Sequence, residues 1–133
     1  IGVHISEGKK LPSNESITDV LNKIKHKNLL GLILACVSPE NYEKNLDEIK
    51  NLGIPFGFKL NAFVRTKQKG KGEYMKKYLK SKGNPIEFLG HRKDLTPEKM
   101  SKFAKKFKDA GATILGGCCE TTPLHINEIS KLK

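Results

Sequence analysis

The sequence predicts an α/β fold of parallel strands, four βα units long. Two observations carry this. Leu29 to Val37 is an apolar run of nine residues, of the kind buried on both faces of a parallel sheet. Three Ser/Thr-Pro pairs (Ser38-Pro39, Thr96-Pro97 and Thr122-Pro123) each set a capping oxygen before proline at a first helical position. Strands alternating with helices imply parallel pairing through right-handed crossovers. Four such units are half of an eight-stranded barrel, but they also suffice for a small open sheet, and length leaves both open.

In chain order, Val3 to Ser6 reads as a short strand that runs into a polar loop. Ile17, Val20, Leu21 and Ile24 recur at helical spacing. The apolar run is the second strand, and the helix opened by Ser38-Pro39 carries Tyr42, Leu46 and Ile49 on one face before Gly53 stops it. Phe56 to Leu60 is the third strand. A basic stretch follows, in which Met75, Tyr78 and Leu79 would seat a short helix. The helix opened by Thr96-Pro97 buries Met100, Phe103, Ala104 and Phe107 and ends at Gly111. Ala112 to Leu115 is the fourth strand, and Thr122-Pro123 opens a last helix through Ile126 and Ile129.

At 133 residues and 37% apolar content the chain makes one domain with one core, not a disordered segment. Its apolar runs fall far short of the ~20 residues that cross a bilayer, so no membrane role is expected. Nothing in the first residues reads as a secretion leader. The formal charge is +11, which raises nucleic acid as a partner, but only Arg65 and Arg92 among 25 basic residues are arginine. Readers of phosphate and guanine favour the bidentate guanidinium fork. The lysines therefore read as a solvated surface, and nucleic acid is not the expected partner.

The chain has three cysteines, Cys36, Cys118 and Cys119. An odd count with an adjacent pair is a poor disulfide framework and points to a reducing compartment, the cytoplasm. Cys36 closes the second predicted strand and Cys118-Cys119 follow the fourth, so all three fall on the carboxyl rim where parallel α/β proteins bind ligands. Neighbours on a strand point to opposite faces, but Gly116-Gly117 can re-aim the chain so that both thiols converge. Three thiolates suit zinc, and three protein ligands with one open position is the formula of a catalytic site. None of the four histidines is placed to complete the shell. Inert buried thiols are the plainer reading, and a redox pair is a weaker one, because adjacent cysteines lack the two-residue spacing of thioredoxin-like pairs.

The run Gly116-Gly117-Cys118-Cys119-Glu120-Thr121-Thr122-Pro123-Leu124-His125-Ile126 resembles the C-terminal signature of the homocysteine S-methyltransferase family. Leu95-Thr96-Pro97-Glu98 and Asp109-Ala110-Gly111-Ala112 precede it at the family's spacing. Cys36-Val37-Ser38-Pro39-Glu40 and Leu60-Asn61-Ala62 are similar to its upstream segments, with Ala35 where many members have Asn. The resemblance implies that residues 1–133 form a single region, the C-terminal half of a (β/α)8 TIM barrel. The natural protein would then be about twice as long, or a second chain would complete the barrel.

It further implies that Cys36, Cys118 and Cys119 are ligands of Zn2+. The open position would take the thiol of homocysteine, which receives a methyl group from a cationic or other donor to give methionine. Asn61 is a candidate for holding the substrate, or else a turn-forming residue. Ser6 and Glu7 are candidates by their position on the rim. Thr121 and Thr122 read as helix caps, and Glu120 as solvent-facing. A zinc-binding fragment without turnover is the alternative.

Overall fold

A computed structural model describes residues 1–5, 7–24, 26–64, 80 and 86–133. Four strands, β1 (Gly2–Val3), β2 (Leu32–Val37), β3 (Phe56–Leu60) and β4 (Ile114–Gly117), form one sheet in the order β1-β2-β3-β4, with every neighbouring pair parallel. The helices are α1 (Ile17–Ile24), α2 (Pro39–Lys50), the single turn α3 (Ile86–Leu89), α4 (Pro97–Asp109) and α5 (Pro123–Ser130).

Each proline-led helix starts where its cap predicts. Ser38 Oγ accepts from Asn41 N at 3.3 Å and Thr96 Oγ1 from Lys99 N at 3.3 Å. Gly53 and Gly111, at φ +72° and +106°, lie three residues beyond the end of α2 and two beyond the end of α4.

Strand order follows sequence order without reversal. With right-handed crossovers, such a winding puts consecutive helices on one side of the sheet. Accordingly α1 packs on α2, α2 on α4, and α4 on α5. Leu32, Leu34, Val37, Phe56, Phe58 and Leu60 turn toward this layer and are buried. At its centre Tyr42, Phe58 and Phe107 form a triangle with ring centroids 4.6–5.6 Å apart, edge and tilted contacts that favour aromatic quadrupoles.

Among the described residues no helix packs on the opposite face. Ile33 and Ala35 there are half-buried, Ile114 is 40% exposed and Lys59 is exposed. Gly57 lies flat against β4, and a Cβ at that position would collide with the Ile114 backbone.

Three predicted boundaries shift. β1 is confined to Gly2–Val3, so His4 lies past it, and Ser6 falls outside the described residues. Leu29 and Leu30 precede β2, with Leu30 86% exposed, because pairing begins where Leu32 meets Phe56. β4 runs Ile114–Gly117 rather than from Ala112 to Leu115, since its register pairs Gly116 with Lys59 and Gly117 with Leu60. The expected helix around Met75, Tyr78 and Leu79 lies outside the described residues.

Candidate metal centre

Between Ala35 and Val37 the β2–β3 register slips by one, leaving Cys36 as an extra residue bulged out of the ladder. Its φ of +54° is a left-handed conformation that a side chain rarely adopts. Such strain persists where surrounding contacts over-determine it. Here the contacts come from Asn61, fully buried just past β3. Its Nδ2 donates to Cys36 O at 2.6 Å and lies 3.6 Å from Cys36 Sγ, while its Oδ1 accepts from Phe63 N at 3.2 Å. Asn61 is thus a turn former whose free amide end holds the first cysteine.

The adjacent pair is held by the same segment. Cys118 N donates to Leu60 O at 2.7 Å, and Ala62 N donates to Cys119 O at 3.0 Å. Glu120, at φ +62°, then reverses the chain, and Thr121 closes the turn by donating from both N and Oγ1 to Cys118 O. A Cβ at Gly117 would collide with Thr121 and Ile126, so the turn requires glycine there.

These loops bring three free thiols together from two strand ends. Cys36 Sγ lies 3.7 Å from Cys119 Sγ, Cys118 Sγ lies 3.9 Å from Cys119 Sγ, and all three sulfurs fall within 4.8 Å of one another. A disulfide would need about 2.05 Å. Tetrahedral zinc with bonds of about 2.3 Å sets its sulfurs roughly 3.8 Å apart, so the triangle fits such an ion. Among the described residues no histidine or carboxylate joins the cluster.

Burial, reinforced by the neighbouring Cys118 and Cys119 thiols, pushes the Cys36 thiol up to about 12, and burial raises Cys119 as well. Without a cation Cys36 and Cys119 are therefore held toward the neutral thiol form. A divalent ion reverses this by stabilising the thiolates.

The remaining polar residues near the rim have structural partners. His125 accepts from Thr122 N at 3.1 Å and sits 3.0 Å from Leu95 O, tying α5 to the start of α4. Thr122 caps α5, as expected. His4 Nδ1 lies 3.1 Å from Ala35 O.

Glu120 is not simply solvent-facing. Its carboxylate meets His91 Nδ1 at 3.1 Å with the side chain only 20% exposed. His91 bridges Phe63, and Arg92 N donates to Ala62 O. The Arg92 guanidinium spans Glu40 at 2.8 Å and Asp94 at 2.9 Å, joining the start of α2 to this segment. The His91–Glu120 and Arg92–Glu40 contacts join distant segments and leave no local pattern in the sequence. Glu7 is exposed in the loop after β1.

Fold and rim together define a parallel α/β protein with a three-thiol cluster, of a geometry that could hold a metal ion, at the carboxyl ends of its strands. A family model described as homocysteine S-methyltransferase matches residues 1–132, and the chain belongs to that family. Homocysteine S-methyltransferase 1 of Zea mays is 28% identical over 127 residues, covering 95% of this chain and 35% of its own length. The Arabidopsis thaliana protein of the same name is 31% identical over 130 residues, covering 94% and 34%. That of Saccharomyces cerevisiae is 45% identical over 47 residues, covering 35% and 14%. The chain thus spans about a third of the length of the first two relatives. No helix among the described residues is long and apolar enough to cross a membrane.

Proposed function

We propose that this chain is the metal-bearing half of a zinc-dependent methyltransferase that passes a methyl group from a donor, cationic or otherwise, to the thiol of homocysteine, forming methionine. The observation that carries the proposal is the sulfur triangle, 3.7 and 3.9 Å on two sides, at the rim of a parallel sheet. Family membership supports the acceptor, since relatives named homocysteine S-methyltransferase align along nearly the whole chain.

The half-barrel reading is supported by the unreversed strand order and by the sheet face on which none of the described helices packs, which carries Ile33, Ala35 and Ile114. A barrel closes such a face against four more strands, from another part of the same protein or from a second chain. Residues 1–133 are then a single region of that barrel.

Cys36, Cys118 and Cys119 would hold the ion from one side, and zinc bound there would supply the positive charge that keeps a substrate thiol ionised at neutral pH. Asn61 presets Cys36 in its left-handed conformation, so the first ligand needs no rearrangement on loading. The Ala62–Cys119 and Leu60–Cys118 hydrogen bonds do the same for the pair. In the reaction the homocysteine sulfur gains the methyl group, and a cationic donor departs neutral, a loss of charge favoured where water is excluded.

Metal analysis combined with a methionine-formation assay tests this. One zinc per chain and activity lost on chelation are expected. Turnover that survives complete removal of metal would refute the reading, and bound zinc with no turnover in the complete barrel would leave a metal-binding protein that is not this enzyme.

A further inference from the structure

Along β3 the side chains of Phe56, Phe58 and Leu60 enter the core, so Gly57 and Lys59 face the opposite side, on which none of the described helices packs. A lysine in the middle of a sheet is out of keeping with its half-buried neighbours there, Ile33 and Ala35. The register explains where it is aimed. Lys59 pairs with Ala35 on one side and Gly116 on the other. Cys36 follows Ala35 directly, and Cys118 stands two residues past Gly116.

The lysine stem runs beside Gly116, where a Cβ would stand in ordinary van der Waals contact, 3.7 Å from Lys59 Cγ. No ion pair to Lys59 forms among the described residues. The Lys59 Cα thus lies one layer below the thiol rim, about 8 Å from Cys118 Cα by strand spacing. A short amino acid and a lysine stem bridge that span together.

Charge points the same way. Three thiolates around a dication leave one net negative charge, and a fourth thiolate makes two. The substrate's ammonium offsets its carboxylate in the net sum, but the carboxylate still lies beside an anionic cluster and is favoured by a local counter-charge.

We infer that Lys59 receives the carboxylate of the thiol amino acid whose sulfur the cysteine rim takes, and so selects α-amino acid thiols over simple thiols. This rests on the methyl-acceptor reading above. The test is calorimetric binding of two thiols to the zinc-loaded protein: homocysteine, and 3-aminopropane-1-thiol, which has the same chain without the carboxylate. Wild type should prefer homocysteine. Lys59→Met should weaken homocysteine about 10- to 100-fold, the loss of one charge-assisted contact, and the aminothiol by less than about 2-fold. Lys59→Arg should restore most of the homocysteine affinity.

Equal weakening of both thiols, or no weakening of either, overturns the inference while leaving the acceptor reading intact. If Lys59→Met does not fold, the wild-type comparison decides alone, because absence of preference for the carboxylate-bearing thiol overturns it. Wild-type protein that binds neither thiol refutes the acceptor reading itself.

Discussion

Replacing Asn61 separates the two jobs its side chain does. Asn61→Ala deletes the donor to Cys36 O, at 2.6 Å, and the acceptor for Phe63 N, at 3.2 Å. The site is fully buried, so water cannot readily replace either bond. At about 1–2 kcal/mol for each buried group left unpaired, the metal-free protein should lose about 2–4 kcal/mol of unfolding free energy. Asn61→Asp keeps the acceptor and deletes only the donor that holds Cys36 in its positive-φ bulge.

Zinc affinity should therefore fall in both variants, by about 10- to 100-fold, as for other groups that orient a metal ligand. Urea unfolding in chelator measures the first quantity and competition with a chromophoric chelator the second. An Asn61→Ala protein that binds zinc as tightly as wild type would refute the claim that Asn61 presets Cys36, whatever its stability.

Other expectations follow from the same geometry. Zinc binding must displace protons from thiols that burial holds up, to about 12 for Cys36. Affinity should therefore rise with pH between about 6 and 8, with measurable proton release in lightly buffered calorimetry; affinity independent of pH would contradict it. Glu120→Ala and Glu120→Gly both remove the pair with His91, but only glycine adopts φ +62° freely, so the glycine variant should be the more stable by about 1–2 kcal/mol in urea unfolding. Phe107→Ala opens the Tyr42–Phe58–Phe107 triangle in a fully buried site and should cost about 3–5 kcal/mol, read by the same method with zinc absent.

Much of the fold was legible because its signals are local. Ser38-Pro39, Thr96-Pro97 and Thr122-Pro123 mark three helix starts to the residue, and Phe56–Leu60 is strand over the expected span. The edges that moved depend on pairing. Gly116 and Gly117 have low strand propensity, yet β3 offers them partners in Lys59 and Leu60. Leu29 and Leu30 are apolar enough for a strand but precede the point where Phe56 becomes available.

The convergence of the cysteines was foreseeable from topology, since all three end strands of one parallel sheet. The bulge that turns Cys36 toward Cys119 was not, because it comes from a register slip between two strands. Glu120 illustrates the same limit. Its partner His91 is brought in by the Phe63 bridge, a contact between segments far apart in sequence.

X-ray absorption at the zinc edge, on protein with and without homocysteine, tests the central claim most directly. Three sulfur neighbours at about 2.3 Å, rising to four when homocysteine is added, is the expected result. A sulfur count that homocysteine leaves unchanged, or a shell with fewer than three cysteine sulfurs, would contradict it.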